Sequence, residues 1–141
     1  MSFTGRCRCG KHRYRIRRRY LNAMHCYCHM CRQAHGTAFS THLMMRPDQF
    51  EWVDSAAPLT AFESSPGAYR AFCSACGTHL QVYGQSGDDT LAVPAGTLDG
   101  APAITIVGHM YTCERVSWHQ ITDNLPQYSQ WPPGYGPTDS D

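Results

Sequence analysis

Tyr69-Arg70-Ala71-Phe72-Cys73-Ser74-Ala75-Cys76-Gly77-Thr78-His79-Leu80-Gln81-Val82-Tyr83 places two short apolar and aromatic runs on either side of a Cys-x-x-Cys-Gly turn. The stretch reads as two strands joined through a metal-binding knuckle, with Gly77 supplying the backbone freedom that so tight a turn wants. Working outward, five more of the eight cysteines fall into two further clusters, Cys7-x-Cys9 and Cys26-x-Cys28-x-x-Cys31, and Cys113 stands apart. Ligand counts of two, three and two make one closed four-sulfur site and one three-sulfur site with an open fourth position. A closed thiolate site holds a fold together, whereas an open one can bind and activate a ligand.

Disulfides are the rival reading of so many cysteines in a small chain. Three observations count against them. The basic N-terminus lacks the apolar stretch of a secretory signal, cysteines one residue apart are poorly placed for separate bridges, and Cys73-x-x-Cys76-Gly77 has the form of a zinc knuckle. Zinc suits the donors because thiolates are soft and four-coordination is its habit, with iron–sulfur clusters as the competing metal chemistry. Two Zn²⁺ per chain are expected. Spacing alone does not say which clusters share an ion; the simplest partition gives Cys7, Cys9, Cys73 and Cys76 to one and leaves Cys26, Cys28 and Cys31 to the other.

The 141 residues suffice for one domain with a modest core. No run approaches the roughly 18 apolar residues of a membrane helix, so a soluble, cytoplasmic protein is expected. The formal charge of +1 conceals a strong polarity: residues 1–46 hold ten of the twelve Lys and Arg and no Asp or Glu, while the remainder is at −9. Seven thiolates on two divalent ions would add roughly −3, so the basic third balances thiolate charge.

From Lys11 to Tyr20 the chain alternates, Arg13, Arg15 and Arg17 against His12, Tyr14 and Ile16, which reads as a strand with one wet basic face. Cys9-Gly10 is a turn before it. Cys26 to Cys31 reads as a compact loop entering a helical turn at Arg32 to His35 that Gly36 ends. Ala38–Met45, Leu59–Glu63, Leu91–Val93 and Ile104–Tyr111 are further strand candidates, with a turn at Pro47-Asp48 before Phe50 and Trp52. With no long amphipathic helix, the class is mainly β. A domain over residues 1–128 is followed by a Pro/Gly-rich acidic tail, 129–141, and the chain after Trp118 is expected to lie over the surface or to be disordered.

Gly5-Arg6-Cys7-Arg8-Cys9-Gly10, then Cys26-Tyr27-Cys28-His29-Met30-Cys31-Arg32 with Gly36, then Ser64-Ser65-Pro66-Gly67 with Arg70 and the knuckle through Leu80 closely resemble the glutathione-dependent formaldehyde-activating (CENP-V/GFA) domain. Gly96-Thr97-Leu98-Asp99 and Trp118 extend the resemblance over residues 3 to about 128. It implies several small coiled β-sheets around zinc, similar to the methionine sulfoxide reductase B fold. It also implies that Cys7, Cys9, Cys73 and Cys76 hold a structural zinc, and that Cys26, Cys28 and Cys31 hold a catalytic zinc at which a thiol binds. The implied activity joins formaldehyde to glutathione, or releases it, as a carbon–sulfur lyase acting on a small-molecule thiol and a small carbonyl. Tyr27 and His29 depart from the residues common at those places in the family, reshaping the pocket beside the metal.

Arg32, directly after a ligand, is the candidate to support thiolate charge, and Arg70 lines the pocket or orders the Ser64-Ser65 loop. His29 completes the coordination, shuttles a proton, or is a surface histidine; His25, His35 and His79 have weaker claims. Cys113 is expected to be a packed structural thiol on a strand, and Trp52, Phe72 and Trp118 to be core. Two other functions compete with the lyase. One is a non-catalytic zinc module binding nucleic acid or protein through the basic strand, although no base-reading motif supports it and nucleic acid is not an expected partner. The other is a methionine sulfoxide reductase-like enzyme, for which only Cys113 would be available as the redox thiol, and which gains if that thiol is exposed and reactive.

Overall fold

The computed structural model describes residues 1–56, 58–84 and 90–134; the end of the acidic tail, 135–141, lies outside the described residues. Among the described residues, ten strands and one short α-helix follow in order: β1 (Ser2–Arg6), β2 (His12–Arg17), β3 (Asn22–Cys26), α1 (His29–His35), β4 (Ser40–Met45), β5 (Phe50–Ser55), β6 (Leu59–Ser65), β7 (Ala68–Cys73), β8 (His79–Gly84), β9 (Leu91–Pro94) and β10 (Thr105–Met110). The protein is mainly β.

Two sheets form. The smaller, in the order β1-β2-β5, is antiparallel, with Tyr14 opposite Gly5 and Trp52. The alternation read along β2 is realised, since His12, Tyr14 and Ile16 are buried while Arg13 and Arg17 are exposed. The basic face is partly neutralised across the ladder, with Arg15 and Arg17 donating to opposite oxygens of Glu51 at 2.8 and 2.6 Å. The larger sheet runs β10-β3-β4-β9-β8-β7-β6, antiparallel except for the β10–β3 pair. β6 and β7 turn at Pro66-Gly67, where Gly67 takes φ of 76°, and β7 and β8 are the two strands flanking the knuckle.

A close approach joins the sheets. Tyr14 Oη lies 2.5 Å from Thr97 Oγ1, and the Tyr14 ring passes so near Gly5 that a Cβ there would sit 2.2 Å from it. Around this crossing, Ile16, Leu43, Leu80 and Val93 form a dry core with Cys7 and Cys73. Each such aliphatic side chain contributes about 1.5–3 kcal/mol by leaving water. A second, smaller core holds Met24 and Met110 against Cys26, Cys28 and Cys31, with Tyr111 and Tyr128 at its border.

Two sequence-based expectations are corrected. Cys113 is exposed and lies in a 3-10 turn, Thr112–Glu114, because Tyr111 takes a left-handed conformation (φ 57°) that ends β10. Trp118 lies beyond that turn and is 72% exposed, so it is not core. The chain after it is anchored: Tyr128 N donates to His109 O at 2.8 Å, Tyr111 N donates to Gln130 O at 3.1 Å, and Trp131 packs edge-on against Tyr111. This segment covers an edge of β10 whose amides would otherwise face water unpaired.

Candidate metal centre

The knuckle is built by backbone bonds before any ion is considered. Cys73 N donates to Thr78 O and Gly77 N to Cys73 O, at 3.0 and 2.8 Å, with Gly77 at φ 80°. Opposite it, the Cys9-Gly10 turn is closed by Gly10 N donating to Cys7 O at 3.1 Å, and Arg8 N donates to Thr78 Oγ1 at 3.0 Å. Cys7, Cys9, Cys73 and Cys76 thereby gather with all four sulfurs within 4.8 Å of one another. A tetrahedral ion with bonds of about 2.3 Å to sulfur needs sulfur–sulfur edges of about 3.8 Å; Cys7 to Cys9 and Cys9 to Cys73 measure 3.5 and 3.8 Å. The donor set fits a thiolate-bound metal. Hydrogen bonds from the Thr78 hydroxyl and amide hold the Cys76 thiol down to about 5.

Cys26, Cys28 and Cys31 come together by a different device. Cys26 ends β3, Cys28 is the N-cap of α1, and Cys31 lies in the first turn, its amide donating to Cys28 Sγ at 3.4 Å. The helix therefore begins at His29, earlier than the polar run suggested, because a sulfur takes the capping role ordinarily played by oxygen. Gly36 closes it in the left-handed conformation, its amide bonded to Arg32 O at 2.8 Å. The three sulfurs also lie within 4.8 Å of one another, and no fourth Cys, His, Asp or Glu joins the group among the described residues. Neighbouring thiols donate to Cys31 and hold it well below the usual thiol range, while the same contacts, with burial, push Cys26 far up.

Charge beside this cluster comes from Arg70 on β7. Its Nη2 donates to Cys31 Sγ at 3.4 Å, and the residue is only 6% exposed. Arg32 does not reach a sulfur; its Nε donates to Tyr27 O at 3.1 Å and braces the cysteine loop. Ser40 also bonds Cys31 and lies 3.0 Å from His42 Nδ1. Burial, with neighbouring cations, brings His35 and His42 down to about 4, so both are neutral at physiological pH.

Other residues emerge only in three dimensions. Asp123 faces His109 Nε2 at 2.9 Å, so Nε2 carries the proton and Nδ1 accepts from Tyr27 O–H at 2.9 Å. This chain ties the loop between Cys26 and Cys28 to β10 and to the segment beyond it. His29 is exposed and bonds Glu114 at 3.2 Å; it does not join the sulfurs. His25 lies 2.8 Å from Thr41 Oγ1, and the His79 ring is tilted against that of His35. Cys113 is not among the clustered thiols. No local pattern announces Glu114, His109 or Asp123; the eight histidines were the one available hint of buried imidazoles.

The fold and site define a mainly β protein with two separate thiol clusters that could each hold a metal ion. The family described as glutathione-dependent formaldehyde-activating enzyme matches residues 2–114, and the chain belongs to it. A crystal structure of a Rhodobacter sphaeroides protein, 21% identical, superposes with a TM-score of 0.59 over 73% of this chain and 98% of that one, which shows a shared fold. No curated protein matches significantly. No described helix is long and apolar enough to cross a membrane.

Proposed function

We propose that the chain is a zinc-dependent carbon–sulfur lyase or synthase of the glutathione-dependent formaldehyde-activating type, with Cys7, Cys9, Cys73 and Cys76 holding a structural Zn²⁺ and Cys26, Cys28 and Cys31 a catalytic one. The observation that carries the reading is the inequality of the clusters, four sulfurs in one and three in the other. A zinc ion at the three sulfurs would supply a Lewis-acid position that acidifies a thiol such as glutathione beside a small carbonyl. The protein's own groups prepare that position. Arg70 offsets thiolate charge at Cys31, Arg32 and Tyr27 fix the loop, and the Met24 and Met110 walls exclude water. The His29–Glu114 pair at the surface can take up or return the proton exchanged when a hydroxymethyl group forms or breaks down. Such thiolate chemistry suits a reducing compartment such as the cytoplasm.

The test is X-ray absorption on the zinc-loaded chain during a glutathione titration, with the average sulfur count per zinc rising as the thiol binds. Two ions already held by four protein sulfurs each would defeat the proposal. The exposure of Cys113 keeps a second reading in play, a methionine sulfoxide reductase-like activity. That reading requires thiol-dependent sulfoxide reduction that Cys113→Ser abolishes. Binding of nucleic acid through the basic strand is disfavoured by the Glu51 pairing of Arg15 and Arg17.

A further inference from the structure

Arg70 carries a buried charge that no carboxylate answers among the described residues. One of its nitrogens is engaged by Cys31, but Nε and Nη1 meet no acceptor, so three of the five N–H donors of a guanidinium are idle. Two imidazoles lie on the same flank of Cys31 with the same deficiency. His42 is 2% exposed and His35 is partly buried, and the Nε2 atom of each is enclosed without a partner. Their rings are 5.4 Å apart, and His79 stands 4.8 Å from His35. Isolated orphan donors occur in folded proteins, but a guanidinium and two imidazoles idle together form a patterned site.

The chemistry of the missing partner can be narrowed. A second metal ion does not suit a place dominated by a fixed cation, and these imidazoles do not form a chelating group. An apolar ligand would leave every donor as it is. A small oxygen acceptor satisfies them, and a guanidinium matches a carboxylate in shape and charge. Nδ1 of His42 lies 3.0 Å from Ser40 Oγ, and in the tautomer in which that nitrogen accepts, Nε2 carries the single imidazole proton and is a donor as well. We propose that Arg70, His42 and His35 form a binding subsite for a small carboxylate, built against Cys31 and separate from the metal position. The shielding of these atoms limits the ligand to a group of formate or acetate size, free or at the end of a larger molecule. A carboxylate borne by the thiol substrate is the second source, and that arm alone rests on the function proposed above.

The experiment follows the Arg70 Nε–H resonance of isotope-labelled, metal-loaded full-length chain as sodium acetate is added at constant ionic strength. A saturable shift with a Kd in the millimolar range is expected. By calorimetry, Arg70→Lys and His35→Phe should each weaken acetate about tenfold. A resonance that does not move by about 0.1 M acetate, or that moves equally with chloride, overturns the subsite; this wild-type measurement decides even if a variant fails to fold. Mercaptoacetate and 2-mercaptoethanol separate the sources. Mercaptoacetate binding about tenfold tighter than either acetate or mercaptoethanol assigns the carboxylate to the thiol. Equal acetate and mercaptoacetate affinities, with mercaptoethanol without effect, assign it to a free acid and count against the thiol reading while leaving the subsite intact.

Discussion

The two cysteine clusters use the same donor atom for opposite ends. Cys7, Cys9, Cys73 and Cys76 join segments 64 residues apart in sequence, from different sheets, with two sulfurs sealed in the core and two at the surface. Cys26, Cys28 and Cys31 span six residues and are all buried. A cluster of distant segments is worth most to the fold, because closing it removes much chain entropy. A local cluster adds little to global stability and leaves its surroundings free to be specialised, here with Arg70, His35 and His42.

The largest effect should come from breaking the distant cluster. Cys73→Ser is expected to abolish cooperative folding, because structural zinc is worth about 10 kcal/mol or more in small domains; circular dichroism with a metal count checks it, and a wild-type melt would erase the distinction. Gly5→Ala tests the same crossing without touching a ligand. With Tyr14 only 2.2 Å from the added Cβ, a loss of about 3 kcal/mol is expected in denaturant unfolding.

Acid sharpens the contrast on the other side. His42 is held near 4, below its ordinary 6.5, so the unfolded state takes up a proton that the folded state refuses. Stability from this group is complete above pH 6.5 and falls as the pH drops from 6.5 towards 4, by up to roughly 3 kcal/mol. His42→Gln should flatten that part of the pH profile. Loss of metal in acid is common to both proteins, so the difference between their denaturation curves reports the imidazole. The smallest stability change is expected for Cys28→Ser, within about 1 kcal/mol, because a serine hydroxyl can take over the N-cap, accompanied by loss of one bound metal in two. Calorimetry and elemental analysis together check that the metal is lost while the fold remains.

Much of this plan was legible in the residues. The alternation of β2, the knuckle hairpin, the Gly36 stop and the cysteine grouping all depend on local spacing, which sequence displays directly. β1 and β3 did not show themselves: Ser2–Arg6 carries a glycine needed for the Tyr14 crossing, and Asn22–Cys26 is sandwiched between β10 and β4, so neither has a clean period of two. The Tyr27–His109–Asp123 chain depends on a parallel pairing of β3 with β10, across more than 80 residues, that no local pattern encodes. Cys113 and Trp118 were misplaced for the related reason that the left-handed Tyr111 ends β10 at Met110 and turns the chain before Cys113.

The separation of Cys9 from Cys73 also has a consequence during synthesis. At 5–20 residues per second, the six-residue cluster is complete early, whereas Cys7 and Cys9 wait on the order of ten seconds for their partners to be made. The three-sulfur cluster is therefore complete first, and the closing of the four-sulfur cluster becomes the late checkpoint at which a nascent chain is committed to its final form.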